Sequence, residues 1–587
     1  MIYFFRRIFL AFIIVLAIFD ISKARDIEIK IIVTSDIHAT VFPYDFVNNM
    51  PLGYGLANIH YLLESVRMQN ANKIVLLENG DFIQGQPTAY YSNFIDKSKN
   101  NFFASIMNFM KYDAAVIGNH DIEAGPEIYN SINKQMDAPW LGANVISKET
   151  NEPYFVPYRM INKSGVNIAV LGLTTSEVQY WLPENLWKDL RFEDMVESAK
   201  FWIDKINENE NPDVIIGLFH SGFGEFNPDV DSEIPSDNTS AYIARFVPGF
   251  DVIFSGHDHT ERDSVVVNIN GDSVLVLGAG SYGKSVAVAH LDFDRESRNV
   301  YKLLSKRGEI FPITGLPPSS QFMEKFNEEI SNVYEYANKS IGSAASSINT
   351  KNALFGNSKY VDFIHQLQIQ NTDADISFAA PLSFNTTIEA GEVRMRDLYK
   401  WYPYDNYLFM IELSGQEVKD YLEYSYGLWF NQVNSENDYL LKYKLDAEGR
   451  IPEDVSGARL LANSYYNFDS AAGIKYIVDV SKPFGDRINI LSLENGDTFH
   501  LDKMYKVALN SYRASGGGGH LIKGLGLDSE QIRERLLFSG EKTIREQIRD
   551  YIENLKTINP KAGNNWSLIP AETVNAAISK EKDILFK

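Results

Sequence analysis

Short apolar runs recur along the first half of the chain, and each is followed by a turn and a stretch of helical periodicity. Most of the runs are rich in β-branched residues and are bounded by Gly, Asn or Asp, as strands are. Alternation of this kind predicts an α/β domain. The six predicted strands are Ile27–Val33, Lys73–Leu77, Ala114–Ile117, Ile168–Leu173, Val214–Phe219 and Val252–Phe254.

Helices and later strands complete the predicted domain. Helical periodicity covers Leu56–Gln69 and Phe192–Asn207. Two further strands, Ser273–Leu277 and Ser285–Phe293, are expected to form closing hairpins, because each is short and bounded by turn residues. We therefore predict one α/β domain from residue 25 to residue 317.

A proline pair, Pro317 and Pro318, ends this pattern. The segment Ser319–Lys339 then has the polar, amphipathic pattern of a single helix. We predict a linker helix over residues 318–340 and a second domain of mixed helix and strand over residues 341–560. Residues 561–587 are set apart as a tail for which the sequence predicts no structure.

The N-terminus has the order of features found in secretory signal peptides. Arg6 and Arg7 precede the apolar run Ile8–Phe19, and Ser22-Lys23-Ala24 is a small-x-small cleavage motif. The apolar run is too short to span a bilayer. We predict a signal peptide over residues 1–24, export to the periplasm or the exterior, and no membrane span after cleavage. A short membrane anchor is the alternative.

Composition narrows the partners and the chemistry. Lys and Arg number 55 against 77 Asp and Glu, a net charge of −22, which disfavours a nucleic-acid polymer as partner. A small anionic ligand is still compatible, since a bound metal reverses the local field. The chain has no Cys, which excludes disulfides, thiolate zinc sites and a catalytic thiolate. Any metal must be held by His, Asp, Glu or Asn.

Five of the ten histidines directly follow four of the predicted strands, each in a turn, and a carboxylate, Asp81, follows a fifth strand. The carboxyl ends of strands line the ligand crevice of an α/β sheet. Each short motif is common by chance, but the ordered set is specific. The set is Asp36-x-His38, Gly80-Asp81, Gly118-Asn119-His120-Asp121, His220 and Gly256-His257-Asp258-His259.

This ordered set resembles the calcineurin-like metallophosphoesterases. The resemblance implies a four-layer αββα sandwich with two metal ions at the strand ends. It assigns one ion to Asp36, His38, Asp81 and His259. It assigns the other ion to Asp81, Asn119, His220 and His257, so that Asp81 bridges both ions.

The ligand set and the family chemistry agree. Nitrogen and oxygen ligands without thiolate suit Mn²⁺, Zn²⁺, Mg²⁺ or Co²⁺. In the family, a hydroxide held by the two ions attacks phosphorus in line. The ions and nearby donors then neutralise charge on the phosphoryl oxygens. Glycines at 80, 118 and 256 are expected to let the backbone turn so that each ligand points inward.

His120 matches the family histidine that contacts phosphate and the leaving group. In related 5′-nucleotidases an acidic residue three positions later orients this histidine, and Glu123 occupies that position here. Asp121 is an adjacent competitor, and a solvated loop acid is the simpler interpretation of Glu123. A carboxylate on one ring nitrogen would fix the tautomer and raise the basicity of the imidazole.

The second domain resembles the C-terminal domain of 5′-nucleotidases, and more closely that of the bacterial 2′,3′-cyclic-nucleotide 2′-phosphodiesterase/3′-nucleotidases. The matching segments are Trp401–Asn406 and Asn510–Gly517. The family sandwiches the base between two aromatic rings. Tyr512 matches one ring and Phe468 is assigned to the other, with Tyr465 and Tyr466 as close rivals.

Two departures bear on the substrate. The family's ribose-binding Asp is replaced by Gly518, and the segment Ala380–Asn385 lacks the family's nucleotide-binding Arg. We therefore expect a nucleotide hydrolase that prefers 2′,3′-cyclic nucleotides and 3′-nucleotides. A 5′-nucleotidase or nucleotide-sugar hydrolase on the same scaffold is the first alternative. A two-lobed solute-binding protein without enzymatic activity is the second alternative.

Overall fold

A computed structural model describes residues 27–96, 98–224, 237–297, 300–446, 448–453 and 459–586. The chain divides into two compact units, with the main boundary between Ile330 and Ser331. The predicted signal peptide lies outside the described residues. In the part of the chain that is described, no helix combines the length and the apolar character needed to cross a membrane.

Two six-stranded sheets form the first unit. In spatial order, one consists of Val300–Pro312, Ser285–Ser297, Ile27–Thr34, Ile74–Glu78, Ala114–Val116 and Trp140–Leu141. The other consists of Glu261–Val267, Ser273–Ala279, Val252–Ser255, Val214–His220, Val166–Thr174 and Tyr158–Lys163. Within each sheet, the strands that carry the predicted motifs run parallel to one another, so their carboxyl ends share one edge.

The two sheets pack face to face. Their shared core joins Ile31 and Val75 of one sheet to Val170, Ile216 and Phe254 of the other. Helices cover the outer faces, which gives the predicted four-layer αββα arrangement. Among the described residues before Phe250, the α-helices of five or more residues are Leu56–Asn70, Phe102–Met110, Asn119–Glu123, Pro126–Gln135, Met195–Asn209 and Ser240–Phe246.

The strands predicted as closing hairpins belong to different sheets. Ser273–Ala279 lies in the second sheet, where it pairs antiparallel with Glu261–Val267. Ser285–Ser297 lies in the first sheet, where it pairs antiparallel with Val300–Pro312. Each strand therefore forms a hairpin with a partner that the sequence pattern did not predict, and the turn between the two strands passes from one sheet to the other.

The predicted linker helix is two helices, Ser320–Lys325 and Asn327–Asn338. The helical dihedrals are interrupted at Phe326, which has φ −112° and ψ 25°. Phe322 and Phe326 are buried, and they pack on each other and on Phe109. The first of the two helices is thus anchored by aromatic packing that its polar composition did not suggest.

The second unit is built around a five-stranded sheet. In spatial order its strands are Ser470–Ala472, Ile376–Ala379, Met504–Asn510, Tyr407–Ser414 and Leu536–Thr543. Two three-stranded sheets accompany it, Gly391–Arg394 with Ser340–Ala344 and Thr557–Ile558, and Ile488–Leu493 with Ile474–Asp479 and Trp566–Ile569. The main helices are Lys359–Gln370, Met395–Trp401, Gly415–Trp429, Ser529–Glu534, Ile544–Leu555 and Ala571–Leu585.

The segment set apart as a tail is an integral part of this second unit. Trp566–Ile569 pairs in parallel with Ile474–Asp479. The helix Ala571–Leu585 buries Glu581, whose carboxylate accepts hydrogen bonds from the backbone of Leu440 and Leu441. Because a buried carboxylate is tolerated only when it is hydrogen-bonded, these contacts fix the helix on the unit.

Candidate metal centre

The seven predicted ligands are carried to one edge of the sandwich by five strands. Each side chain lies at, or just beyond, the carboxyl end of a buried strand. The ligands are Asp36, His38, Asp81, Asn119, His220, His257 and His259. All but His257, which is partly exposed, and His259, which is exposed, are buried, so the strands deliver a dense set of polar groups to a largely buried edge.

Two clusters stand out among these groups. In the first, formed by Asp36, His38 and His259, the candidate ligand atoms all lie within 4.8 Å of one another. The Nε2 atoms of His38 and His259 are 3.0 Å apart, and the Nε2 atom of His259 is 3.6 Å from Asp36 Oδ1. His38 Nδ1 donates to Gln84 Oε1 at 3.0 Å, which directs Nε2 into the cluster.

The second cluster consists of Asp81, His220 and His257, with Asn119 beside it. His220 Nδ1 donates to the Asn79 carbonyl at 2.7 Å, so Nε2 faces Asp81 Oδ2 at 3.1 Å. Asn119 Oδ1 lies 3.0 Å from His220 Nε2 and 3.0 Å from His257 Nδ1. A carboxylate, an amide oxygen and two imidazole nitrogens therefore converge.

The spacing within both clusters fits divalent metal ions. Metal–nitrogen bonds of about 2.1 Å that meet at a right angle place two ligand atoms about 3.0 Å apart. The nitrogen pair of the first cluster and the amide and imidazole atoms of the second have this separation. The donors are the nitrogen and oxygen atoms that Mn²⁺, Zn²⁺ and related ions accept. The two clusters thus suit two such ions.

Burial and charge shift the pKa values of the candidate ligands in different directions. Burial lowers the pKa of His38 and of His257 to about 3, so both rings are neutral at pH 7 and keep a lone pair for a metal. Burial also raises the pKa of Asp36 to about 7. His220 differs, because burial lowers its pKa but the Asp81 carboxylate outweighs this effect and raises the pKa to about 10.

Backbone strain is concentrated at the ligands. Five of the seven adopt positive φ angles, namely Asp36 at 50°, His38 at 46°, Asp81 at 59°, His257 at 71° and His259 at 57°. Such left-handed conformations are uncommon for residues other than Gly, and they cluster at functional sites. The sharp turns are therefore made mainly by the ligand residues themselves, and less by the glycines to which the sequence analysis assigned them.

The three motif glycines have different roles. Gly80 has φ 86° and supports the turn as predicted. Gly118 and Gly256 do not need a left-handed backbone, and instead allow close approach. A Cβ atom on Gly118 would lie 2.3 Å from Asp81 Oδ1, and one on Gly256 would lie 2.6 Å from Ser35 Oγ.

His120 lies beside the clusters without joining either. Its Nδ1 atom is 2.5 Å from Glu123 Oε2, and its ring contacts the ring of His38 edge-on at 5.5 Å. Its side chain is 35% exposed, whereas that of Glu123 is 7% exposed. The ring therefore faces the opening of the site and is held from behind by a buried carboxylate. The structure places Glu123, and not Asp121, against His120.

Asp121 organises the backbone of the site instead. Its buried carboxylate accepts hydrogen bonds from the backbone N–H groups of Gly118, Asp81, Phe82 and Ile83, at 2.8 to 3.1 Å. The loops after two adjacent strands are thereby tied together. The motif Gly-Asn-His-Asp contained this residue, but the pattern alone did not reveal which of the two neighbouring acids contacts His120.

The aromatic residues assigned to a base differ sharply in exposure. Tyr512 is 39% exposed and is available to a ligand. Phe468 is fully buried and stacks on Trp429 with ring centroids 5.2 Å apart, so its assignment as a base-stacking residue is wrong. Tyr466, the rival from the same segment, is partly exposed, and its ring lies 6.4 Å from that of Tyr512. The ring of Phe468 is therefore part of the hydrophobic core.

Comparisons with known proteins agree with this geometry. Residues 29–261 match the calcineurin-like phosphoesterase family, and residues 338–524 match the 5′-nucleotidase C-terminal domain. All seven candidate ligands lie in the first range. The chain therefore carries a calcineurin-like phosphoesterase domain followed by a 5′-nucleotidase-type C-terminal domain. It is a hydrolase, and Tyr512 lies in the second of these domains.

Relatives of the phosphoesterase extend over most of its length. It is 28% identical to the trifunctional nucleotide phosphoesterase protein YfkN of Bacillus subtilis, over 96% of this chain and 40% of that longer protein. It is 23% identical to the 2′,3′-cyclic-nucleotide 2′-phosphodiesterase/3′-nucleotidase of Haemophilus influenzae, over 94% of this chain and 89% of that one. A 5′-nucleotidase precursor from Thermus thermophilus shares the fold, with TM-score 0.60 and 21% identity over 92% of this chain and 99% of that one.

In the second unit of the phosphoesterase, a buried ion pair supports the loop that carries Tyr512. Arg513 makes two hydrogen bonds to Asp469, at 2.7 and 2.8 Å. The same guanidinium donates to the carbonyls of Gly517 and Tyr466, at 2.7 and 2.9 Å. One charged group therefore fixes both the glycine-rich turn and the segment of Tyr466.

Gly518 has no room for a side chain. Its φ is 72°, and a Cβ atom there would lie 2.2 Å from Arg513 Nη1 and 2.4 Å from Asn467 Oδ1. The position where the family carries a ribose-binding carboxylate is thus closed by the phosphoesterase's own ion-pair network. An Asp at this position would have to displace Arg513.

Proposed function

We propose that this phosphoesterase hydrolyses 2′,3′-cyclic nucleotides and 3′-nucleotides with two divalent metal ions. The observation that carries the proposal is the pair of ligand clusters, each with the spacing of a metal site, at one sandwich edge. The relatives from Haemophilus influenzae, Yersinia enterocolitica and Salmonella typhimurium are named 2′,3′-cyclic-nucleotide 2′-phosphodiesterase/3′-nucleotidase. Their names support the choice of substrate class.

The first ion would be held by Asp36, His38 and His259, and the second by Asn119, His220 and His257. Asp81 is the proposed bridge between them. When bound, two such ions supply an activated water and neutralise charge on the phosphoryl oxygens. The donor set suits Mn²⁺, Zn²⁺, Mg²⁺ or Co²⁺.

His120 is the proposed proton donor to the leaving oxygen. Its Nδ1 is occupied by Glu123, so Nε2 is the atom that can face a substrate. A carboxylate against one ring nitrogen orients an imidazole and stabilises its protonated form. Glu123 is therefore the proposed positioning residue, and the exposed side of His120 is where the substrate oxygen would lie.

Tyr512 is the proposed base-stacking residue. Base stacking on an aromatic ring tolerates every base, because each has a π-face. Tyr466 replaces Phe468 as the candidate second ring, since it lies next to Tyr512 and is partly exposed. A net charge of −22 disfavours a nucleic-acid polymer as the ligand. The proposed ligand is therefore a single nucleotide.

Gly518 supports the preference for cyclic and 3′-nucleotides over 5′-nucleotides. It offers no carboxylate to the two ribose hydroxyls that a 5′-nucleotide presents, and the ion-pair network leaves no room for one. A 2′,3′-cyclic nucleotide has no free ribose hydroxyl pair and loses nothing by this change. The competing candidate is a 5′-nucleotidase, because a Vibrio cholerae relative of that name is 26% identical over 67% of this chain.

A substrate panel separates these candidates. The metal-loaded protein is assayed on 2′,3′-cAMP, 3′-AMP, 5′-AMP and UDP-glucose, with bis-nitrophenyl phosphate as a control that lacks a base. We expect the first two nucleotides to have the highest kcat/KM. Preference for 5′-AMP or UDP-glucose would favour the alternative on the same scaffold. Tight nucleotide binding without hydrolysis under any metal would favour a solute-binding protein.

We further propose that residues 1–24 direct export and that the mature protein acts outside the cytoplasm. The basic, apolar and small-residue segments of the N-terminus support this proposal. N-terminal sequencing of the protein recovered from the extracytoplasmic fraction tests it. A mature chain that begins near Arg25 is expected, and an intact Met1 in the cytoplasmic fraction would contradict it.

A further inference from the structure

A tight turn, residues 280–283, brings an aromatic residue to the first ligand cluster. Gly280, Tyr282 and Gly283 have φ angles of 70°, 62° and 68°. Glycine adopts this region freely, whereas for a bulky side chain it is a genuine outlier. Tyr282 is thus held in a conformation that its side chain disfavours, and strain of this kind is found where a position serves the site.

Tyr282 contacts every member of the first cluster. Its backbone N–H donates to the carbonyl of Asp36 at 2.8 Å. Its ring centroid lies 5.5 Å from that of His38 and 5.7 Å from that of His259. One residue therefore touches, through backbone or ring, all three residues proposed to hold the first ion.

The need for such support follows from the geometry of the two imidazoles. The Nε2 atoms of His38 and His259 face each other at 3.0 Å, the separation of two ligand atoms on one metal ion. Both rings must keep this orientation for the two nitrogen atoms to reach the same ion. A ring packed against both histidines keeps the pair in the orientation that a metal requires.

Lys284 holds the phenol ring from the surface. Its Nζ lies 5.5 Å from the ring centroid of Tyr282 and 5.5 Å from that of Tyr54, a distance at which a cation is attracted to an aromatic face. The Tyr282 ring is thus packed between a cation and the metal-site histidines. It has partners on the surface side as well as within the site.

We infer that Tyr282 is a positioning residue for the first metal ion, which it serves by fixing the rings of His38 and His259 and the backbone of Asp36. The inference rests on the proposed dinuclear centre and deepens it. Partners of this outer kind change metal affinity by roughly 10–100-fold when they are removed. The effect is expected at one ion and not at the other.

The test is a titration of the metal-free protein with Mn²⁺, monitored by calorimetry and by electron paramagnetic resonance. The second method distinguishes single Mn²⁺ ions from a coupled pair. The decisive variant is Tyr282→Gly, because glycine accepts the left-handed backbone and so removes the ring without adding strain. Tyr282→Phe keeps the ring. Tyr158→Ala removes a partly buried tyrosine that packs on Trp202 in the same unit and serves as the matched control.

The wild type, Tyr282→Phe and Tyr158→Ala are expected to bind two coupled ions. In Tyr282→Gly, one binding step should weaken roughly 10–100-fold, the coupled signal should give way to a single-ion signal at limiting Mn²⁺, and circular dichroism should show that the fold is kept. Two unchanged steps in Tyr282→Gly, or equal weakening of both, would overturn the inference alone. A wild type that binds fewer than two ions would overturn the dinuclear proposal itself.

Discussion

The Nδ1 atom of His120 lies 2.5 Å from Oε2 of Glu123, one turn later on the same short helix, Asn119–Glu123. The backbone N–H of His120 donates to Asp81 Oδ1 at 2.8 Å. The ring is thus tied through its side chain to a buried acid and through its backbone to the proposed bridging ligand. Its orientation is set before any substrate arrives.

This contact predicts distinct effects for the two residues. The variant His120→Asn should keep both metal ions and lose roughly 10²–10⁴-fold in kcat, the range for one general acid or transition-state donor. A nitrophenyl ester should be affected less, because its leaving group needs no proton. Kinetics and metal analysis of the same preparation provide the check. Loss of metal would instead make His120 a ligand.

Glu123→Gln should lower kcat less than His120→Asn, with KM nearly unchanged. The amide can still occupy the position of the carboxylate, but it cannot stabilise a protonated ring by charge. The pH dependence of kcat should move to lower pH, because the imidazolium loses its anionic partner. An unchanged pH profile would show that Glu123 serves only the packing of the loop.

The aromatic residues of the second unit predict opposite outcomes. Tyr512→Ala should lower kcat/KM for 2′,3′-cAMP roughly 10–100-fold, since stacking contributes about 1–3 kcal/mol per base and 1.4 kcal/mol is about tenfold. Hydrolysis of bis-nitrophenyl phosphate should be unaffected. Phe468→Ala should instead destabilise the fold by about 3–5 kcal/mol, because it removes a buried ring. Urea denaturation separates the two effects.

The ion pair of Asp469 and Arg513 predicts acid sensitivity. Burial raises the pKa of Asp469, but the Arg513 guanidinium outweighs this effect and holds the pKa below its usual 3.8. The unfolded chain therefore binds a proton at higher pH than the folded protein does. The stabilisation from this pair is present above about pH 4 and is lost as the pH falls further.

Replacing Asp469 should reveal how much the ion pair contributes to the stability of the fold at neutral pH. Asp469→Asn leaves a buried guanidinium without its counter-charge, which costs about 3–5 kcal/mol. The urea midpoint at pH 7 should fall, and the difference from the wild type should narrow below pH 4. Glu392→Gln, which breaks an exposed pair with Arg394, is the matched control and should scarcely change the midpoint. A pH-independent difference would contradict the account.

The candidate ligands could be picked out from the sequence because they repeat one pattern, a polar group after a buried strand, and because the ordered set resembles a known family. The sequence could not assign a role where two candidate residues of the same type lay close together in the chain. Nothing in the spacing of Asp121 and Glu123 reveals which one meets His120, since that depends on how the short helix begins. The same holds for Phe468 and Tyr466, because neighbouring aromatics are sorted between core and surface only by the finished fold.

Some supporting residues left no signal in the sequence. Gln84 receives the Nδ1 proton of His38, and Tyr282 packs on the ring of the same histidine. Neither lies in a recognisable motif, because their roles depend on contacts between separate loops. Asn79 directly precedes the Gly80-Asp81 motif, yet its hydrogen bond with His220 joins two sheets and appears only in the folded chain.

The proposed bridging role of Asp81 makes a clear prediction for metal content. Asp81→Ala removes a carboxylate that faces His220 at 3.1 Å and accepts the backbone N–H of His120. The variant should fold, bind fewer than two ions and lose turnover. Elemental analysis after dialysis, with circular dichroism as a fold control, measures this. Near-normal activity in the variant would contradict a shared ligand.

The most direct test of the account is the ratio of kcat/KM for 2′,3′-cAMP to that for 5′-AMP, measured on the wild-type protein after removal of metal by a chelator and reloading with Mn²⁺. The chelated protein should be inactive, and the reloaded protein should favour 2′,3′-cAMP, because Gly518 offers no carboxylate to the ribose of 5′-AMP. Faster hydrolysis of 5′-AMP, or full activity in the chelated protein, would contradict the account.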